Sequence, residues 1–126
     1  FLSDTSTTEQ IKEHAVLEPN ERAWISVGQQ SCYGNASVQL GSTGFSLNNT
    51  GDDIVLSYVE ESGVSINFDQ VSYTGSWVEA GVASQLDPNF HNTTDNDIAE
   101  NWCLATTPIE GTLDFGTPGN ENQGCP

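Results

Sequence analysis

Acidic and amide side chains crowd one stretch of the chain: Asp87, Asp95, Asn96, Asp97 and Glu100 all fall within residues 87–100. Hard carboxylate and amide oxygens at that density suit a calcium ion. The spacing is not that of an EF-hand, because the glycine and the bidentate glutamate are missing at the required offsets. Two expectations stand side by side. Asp87, Asp95, Asp97 and Glu100 bind calcium, or they are solvated loop residues with Asp97 capping a short turn at Ile98-Ala99-Glu100. Asp52 and Asp53 are a second acidic pair, of the kind that ordinarily belongs to a hairpin turn.

Catalysis would need more than carboxylates. General acid–base work requires groups in opposed environments, and nucleophilic catalysis requires a serine or cysteine near an oriented histidine. The only histidines are His14 and His91. His91 lies among the acids beside Asn92, where a plain surface histidine is the expected reading. No nucleophile elbow, phosphate loop or dinucleotide fingerprint occurs, so no catalytic residue is assigned and a non-enzyme is expected. Trp24, Trp77 and Trp102 could offer an aromatic platform to a sugar or peptide, but strand packing is the default role for such rings.

The three cysteines, Cys32, Cys103 and Cys125, show neither zinc nor haem spacing. One disulfide plus one odd thiol is expected of an exported domain. Cys103–Cys125 is the preferred pair, because it would tie down a Gly/Pro-rich tail with few apolar anchors; Cys32–Cys103 is the alternative. Eighteen acidic residues against two basic ones, Lys12 and Arg22, give a formal charge of −16. Such a surface repels phosphate backbones and anionic headgroups, which argues against nucleic acid as a partner. The acidity serves solubility in a salty medium, or it recruits divalent cations. No apolar run is long enough to span a bilayer. With no initiator Met and no signal-peptide core, the sequence reads as a processed or partial chain. Asn35, Asn48 and Asn92 open N-x-S/T triplets, which arise readily by chance in a chain so rich in Ser, Thr and Asn.

The elements that must position these groups are short strands. A chain of 126 residues, 35% apolar and with twelve glycines, suits one all-β domain of many strands joined by polar turns. The segment 44–73 organises it. Ile54, Val55, Leu56, Tyr58 and Val59 form a β-branched-rich run expected to be covered on both faces. Val64, Ile66 and Phe68 alternate with Ser65 and Asn67, the pattern of a strand with one wet face. The apolar phase then slips by one to Val71 and Tyr73, so a β-bulge is expected near Asp69 and Gln70. Glu60-Glu61-Ser62-Gly63 closes the hairpin, with Gly63 in the left-handed conformation. Asn48 to Asp53 makes a second turn, after a short strand at 45–47. Elsewhere, strands are expected at the start of the chain, at 15–17, at 23–27 with Ala23, Ile25 and Val27 inward, at Val38 and Leu40, and at 101–105. Residues 5–10 and 28–34 read as loops, 18–21 as a turn, 80–86 as a small-residue segment, and 107–126 as an extended tail.

The order of LNNTGDDIVL, a turn at ESG, FDQVSY, Trp77, the Asn101-Trp102 pair and a terminal GTPGNEN resembles the lamin tail domain in its secreted bacterial form, over most of the chain. The resemblance implies an immunoglobulin-like β-sandwich of short antiparallel strands, lacking the family's usual first strand pair with its Trp-hydrophobic-Glu pattern. In the family, residues like 80–86 cross back over the sheet. It also implies a non-catalytic accessory module, secreted or at the cell surface. Missing edge strands leave backbone groups open to strand addition by a neighbour. Two functions follow as expectations. One is a structural or adhesion subunit of a surface or fibre assembly, joined by strand complementation or calcium. The other is a binding or anchoring domain excised from a larger secreted protein, such as a nuclease or phosphoesterase.

Overall fold

A computed structural model of the chain describes residues 1–4, 6–9, 11, 18, 22, 25–27, 38–40 and 45–126. The strands foreseen at 15–17, the turn at 18–21, the loop at 28–34, and Lys12, His14, Ala23, Trp24 and Cys32 lie wholly or mainly outside these residues. The described residues form eight strands: β1 (Leu2–Ser3), β2 (Thr8–Glu9), β3 (Ile25–Val27), β4 (Val38–Leu40), β5 (Gly51–Val59), β6 (Ser65–Thr74), β7 (Ser84–Leu86) and β8 (Trp102–Leu104). The described helical segments are single 3-10 turns at Gly75–Trp77, Pro88–Phe90, Asp95–Asp97 and Ala99–Asn101. The described fold is all-β. No helix among the described residues is long and apolar enough to cross a membrane.

The chain divides into two compact units. The first comprises Phe1–Leu47 and Asp53–Gln70, the second Asn48–Asp52 and Val71–Pro126. Strands β2-β1-β5-β6 form one sheet in that order, while β3 pairs with β4 and β7 with β8. The β1–β2, β1–β5 and β7–β8 pairs are antiparallel. Strand β3 runs parallel to β4, with Ile25 opposite Val38, a departure from the all-antiparallel expectation.

In the first unit the β5–β6 turn follows from its sequence. Gly63 N donates to Glu60 O at 2.9 Å and Glu60 N to Val64 O at 2.9 Å. Gly63 has φ +85°, the left-handed residue that a three-residue hairpin loop requires. Strand β6 has ten residues and β5 nine. Strand β1 was expected at the start of the chain, but β2 and the hairpin were not, residues 5–10 being read as a Thr/Ser-rich loop. Its turn is held by Asp4, whose carboxylate accepts Ser6 N–H at 2.7 Å and Thr7 N–H at 2.6 Å. A short aspartate that bonds its own backbone two residues on is a turn device. Residues 45–47 are not a strand, although Phe45 is buried.

The second unit opens on the other foreseen turn. Asn48 Oδ1 accepts Thr50 N–H at 2.9 Å, Asn48 O accepts Gly51 N–H at 3.2 Å, and Tyr73 Oη donates to Asn48 O at 2.7 Å. Gly51 has φ +132°, and a Cβ there would stand 2.8 Å from Tyr73 O, so only glycine fits. The β7–β8 pair sets Gln85 opposite Cys103 and Leu86 opposite Trp102. Ala105, just past β8, is buried and donates its N–H to Ala83 O at 2.8 Å.

Candidate functional site

The acidic loop is held together by its own hydrogen bonds. Asp87 is buried, and its Oδ1 accepts the backbone N–H and side-chain amide of Asn89, each at 2.9 Å. Its Oδ2 accepts Cys125 N–H at 2.8 Å. These donors, Asn89 N–H first and Cys125 N–H second, hold its carboxyl below the usual carboxylate range. Asp87 thus caps the turn Pro88–Phe90, with proline in the first position, where its missing N–H costs nothing. The sequence reading placed a cap at Asp97. That is corrected: Asp97 lies inside the turn Asp95–Asp97, and the following turn begins after Ile98 with no side-chain cap.

The other proposed calcium ligands have surroundings of different kinds. Asp95 Oδ2 accepts from Asn92 Nδ2 at 2.6 Å, and both Asp97 and Glu100 are exposed. Asn96 is buried, with its backbone oxygen accepting Trp102 Nε1–H at 2.7 Å. Among the described residues, no three His, Cys, Asp or Glu side chains converge to hold a metal ion. Asp52 is buried and accepts Asn48 N–H at 3.1 Å, while strand alternation turns its neighbour Asp53 to the opposite face. His91 is exposed beside the Asp87 carboxylate and adds a minor lowering of its pKa.

Two of the three tryptophans do meet. Trp77 and Trp102 stack with centroids 5.1 Å apart, and Tyr73 approaches Trp77 at 6.5 Å. Both indoles are half-buried, and Ser84 Oγ donates to Trp77 O. A cavity of about 90 Å³ lies against them, lined by Ser76, Ser84, Cys103 and Leu104 as well. That is room for about three waters at roughly 30 Å³ each, and well short of a pocket that buries a sugar. The rings cover one another's faces, so the packing role explains this geometry.

The tail beyond Gly116 is strapped to the same unit. Cys103 and Cys125 are joined in a disulfide, their Cα atoms 5.7 Å apart, which is the preferred pairing of the two weighed from sequence. Asn122 Nδ2 donates to Leu86 O at 2.9 Å and Gln85 Nε2 to Gln123 O at 2.9 Å. Together with Asp87 and Cys125, these bonds fasten the tail along β7.

The first unit carries a different kind of surface. Leu56, Tyr58, Val64, Ile66 and Phe68 are exposed at 38, 51, 56, 43 and 60% respectively. Period-two alternation puts Leu56 and Tyr58 on one side of β5, and Ile66 and Phe68 on one side of β6. The Tyr58 and Phe68 rings, 6.4 Å apart, show these two sides to be the same face. The sequence reading had β5 covered on both faces and the apolar side of β6 turned inward. Both readings are corrected: this apolar face is solvent-exposed, while Ser57, on the opposite side of β5, is buried. Ile25, also expected inward, is 37% exposed. Alternation shows which residues share a face, but carries no information about which face acquires a covering layer.

Compared with family models, with curated proteins and with solved structures, the chain matches none.

Proposed function

We propose that this chain is a non-catalytic structural or adhesion module of a secreted or cell-surface protein, working through association with protein. Its carrying observation is the apolar face of β5 and β6, since contiguous exposed apolar surface of this kind marks interaction sites in soluble domains. The disulfide between Cys103 and Cys125 suits an oxidising compartment. The charge of −16 disfavours nucleic acid as the partner. The resemblance of LNNTGDDIVL, FDQVSY and the Asn101-Trp102 pair to the lamin tail domain supports an immunoglobulin-like sandwich as the complete fold.

The test is sedimentation velocity on native material, untreated, then with EDTA, then with reductant. Species larger than a monomer support the module reading. Their collapse on chelation assigns calcium to the link, through Asp87, Asp95, Asp97 and Glu100 or other carboxylates; their collapse on reduction assigns sulfur. A compact monomer in all three, bound to no protein added to it, removes the reading. An experimental structure without two facing sheets removes the sandwich.

A further inference from the structure

The exposed face of the first unit has both a shape and a charge environment, and together they specify an occupant. Among the described residues strand β6 is the last in the order β2-β1-β5-β6, so the apolar residues Ile66 and Phe68 sit at an edge of the described sheet, where an extended chain can be added. Beside them on the same face stand Leu56 and Tyr58 of β5. At the tip the apolar row ends in acid. Glu60 continues the alternation of Leu56 and Tyr58, bonds Val64 across the hairpin, and is followed by Glu61, both exposed. A second copy of this chain would bring another charge of −16 to this rim, whereas a basic partner is drawn to it at long range.

We propose that this face docks an extended, amphipathic, lysine- or arginine-bearing segment of another protein, lying alongside β6. Its apolar side chains, at alternate positions, cover Ile66, Phe68, Tyr58 and Leu56. Its basic residues meet Glu60 and Glu61. The proposal rests on the interaction-module reading and adds to it the site and the partner's chemistry. Backbone pairing along the edge would supply sequence-independent affinity, while the aromatic pair Tyr58–Phe68 supplies the anchor, as aromatic residues do at the centres of interfaces.

The test uses the full chain with two synthetic peptides, one alternating valine with lysine and one alternating valine with glutamate, read by fluorescence anisotropy across a salt series. The expected result is binding of the lysine peptide at least about tenfold tighter than the glutamate peptide, weakening as salt rises. The double variant Ile66→Thr/Phe68→Thr and, separately, Tyr58→Ser on β5 should each weaken it about tenfold or more, with an unchanged circular dichroism spectrum. Equal binding of the two peptides overturns the charge argument. Undiminished binding to both variants overturns the site while leaving the module reading intact. Self-association that both variants abolish gives the face to a second copy and overturns the cationic partner. Failure to bind either peptide, from a chain that sediments as a monomer, overturns the inference and the module reading together.

Discussion

The two units solve the problem of holding short strands together in opposite ways. The second unit ties itself with side chains that bond backbone: Asp87 to Asn89 and Cys125, Asn122 to Leu86, Gln85 to Gln123 and Trp102 to Asn96, closed by a disulfide. The first unit's hairpin instead turns its largest apolar side chains to solvent. Hydrogen bonds and a covalent link hold the second unit, whose one fully buried hydrophobic residue among those described is Ala105. The exposed face of the first unit contributes little to its own folding and leaves that apolar area for association. The second unit also exposes apolar side chains, Leu113 most of all, but it is the first whose exposed apolar residues stand side by side on one strand face.

The sharpest way to break this comparison is to cut the covalent tie. The disulfide spans a separation of 22 residues, for which loop-closure entropy implies a stabilisation of about 3 kcal/mol. Cys103→Ala/Cys125→Ala should lose that much in urea unfolding and expose the tail to protease. A loss well below 1 kcal/mol would mean that the hydrogen bonds alone hold the tail. Next in size is the turn. Gly51→Ala would force a Cβ to within 2.8 Å of Tyr73 O at φ +132°, a strain on the order of 2 kcal/mol. Gly63→Ala is the control: it also has a positive φ, but nothing stands within 4 Å of the added carbon, so only the backbone cost of about 1 kcal/mol should appear. Equal losses at the two glycines would refute the close-approach argument.

What was legible in the sequence follows the same division between local and non-local causes. The Gly63 turn, the turn at Asn48, β8 and the Cys103–Cys125 pair were all foreseen, because each is fixed by residues near one another or by few alternatives. The wet face of β5 and β6 was not, because alternation groups residues into faces and only tertiary packing decides which is covered. Strand β2 was missed because a short Thr/Ser run carries no apolar alternation to mark it, whereas the Asp4 turn brings it beside β1. The cap was assigned to Asp97 instead of Asp87, although the Asp87-Pro88 pair was the better signal, with a cap residue directly before a proline suited to the first position of a turn. Spacing does not reveal the different surroundings of these acids: Asp87 accepts backbone N–H groups, Asp95 accepts the Asn92 side-chain amide, and Asp97 and Glu100 are exposed.

Acid should loosen the second unit less than loss of the disulfide does. The folded Asp87 carboxyl titrates below its unfolded value of 3.8, chiefly through Asn89 N–H and then Cys125 N–H. Its contribution is therefore complete above that value and is lost as pH falls through the lower folded pKa. Asp4 is shifted the same way in the first unit, with Ser6 N–H as the largest cause, so both units weaken in acid. Urea midpoints measured from pH 6 down to pH 2 should fall for the native chain, and Asp87→Asn, which cannot ionise, should flatten part of that decline. An identical decline in the variant would place the acid sensitivity elsewhere.

The smallest expected effect is the one that bears most on the comparison. If the apolar face of the first unit is reserved for a partner, its side chains contribute little to folding. Phe68 is 60% exposed and Ile66 43%, so their replacement by threonine removes little buried area and leaves a residue favoured in strands. The double variant should unfold within about 0.5 kcal/mol of the native chain, as surface substitutions ordinarily do. Its solubility should rise, because a flat apolar edge is a template for aggregation and polar residues there disrupt it. A loss of about 2 kcal/mol or more would mean that the face is packed in the folded chain and contributes to its stability. The two units would then differ in the kind of bond that holds them, and no longer in which of them is open.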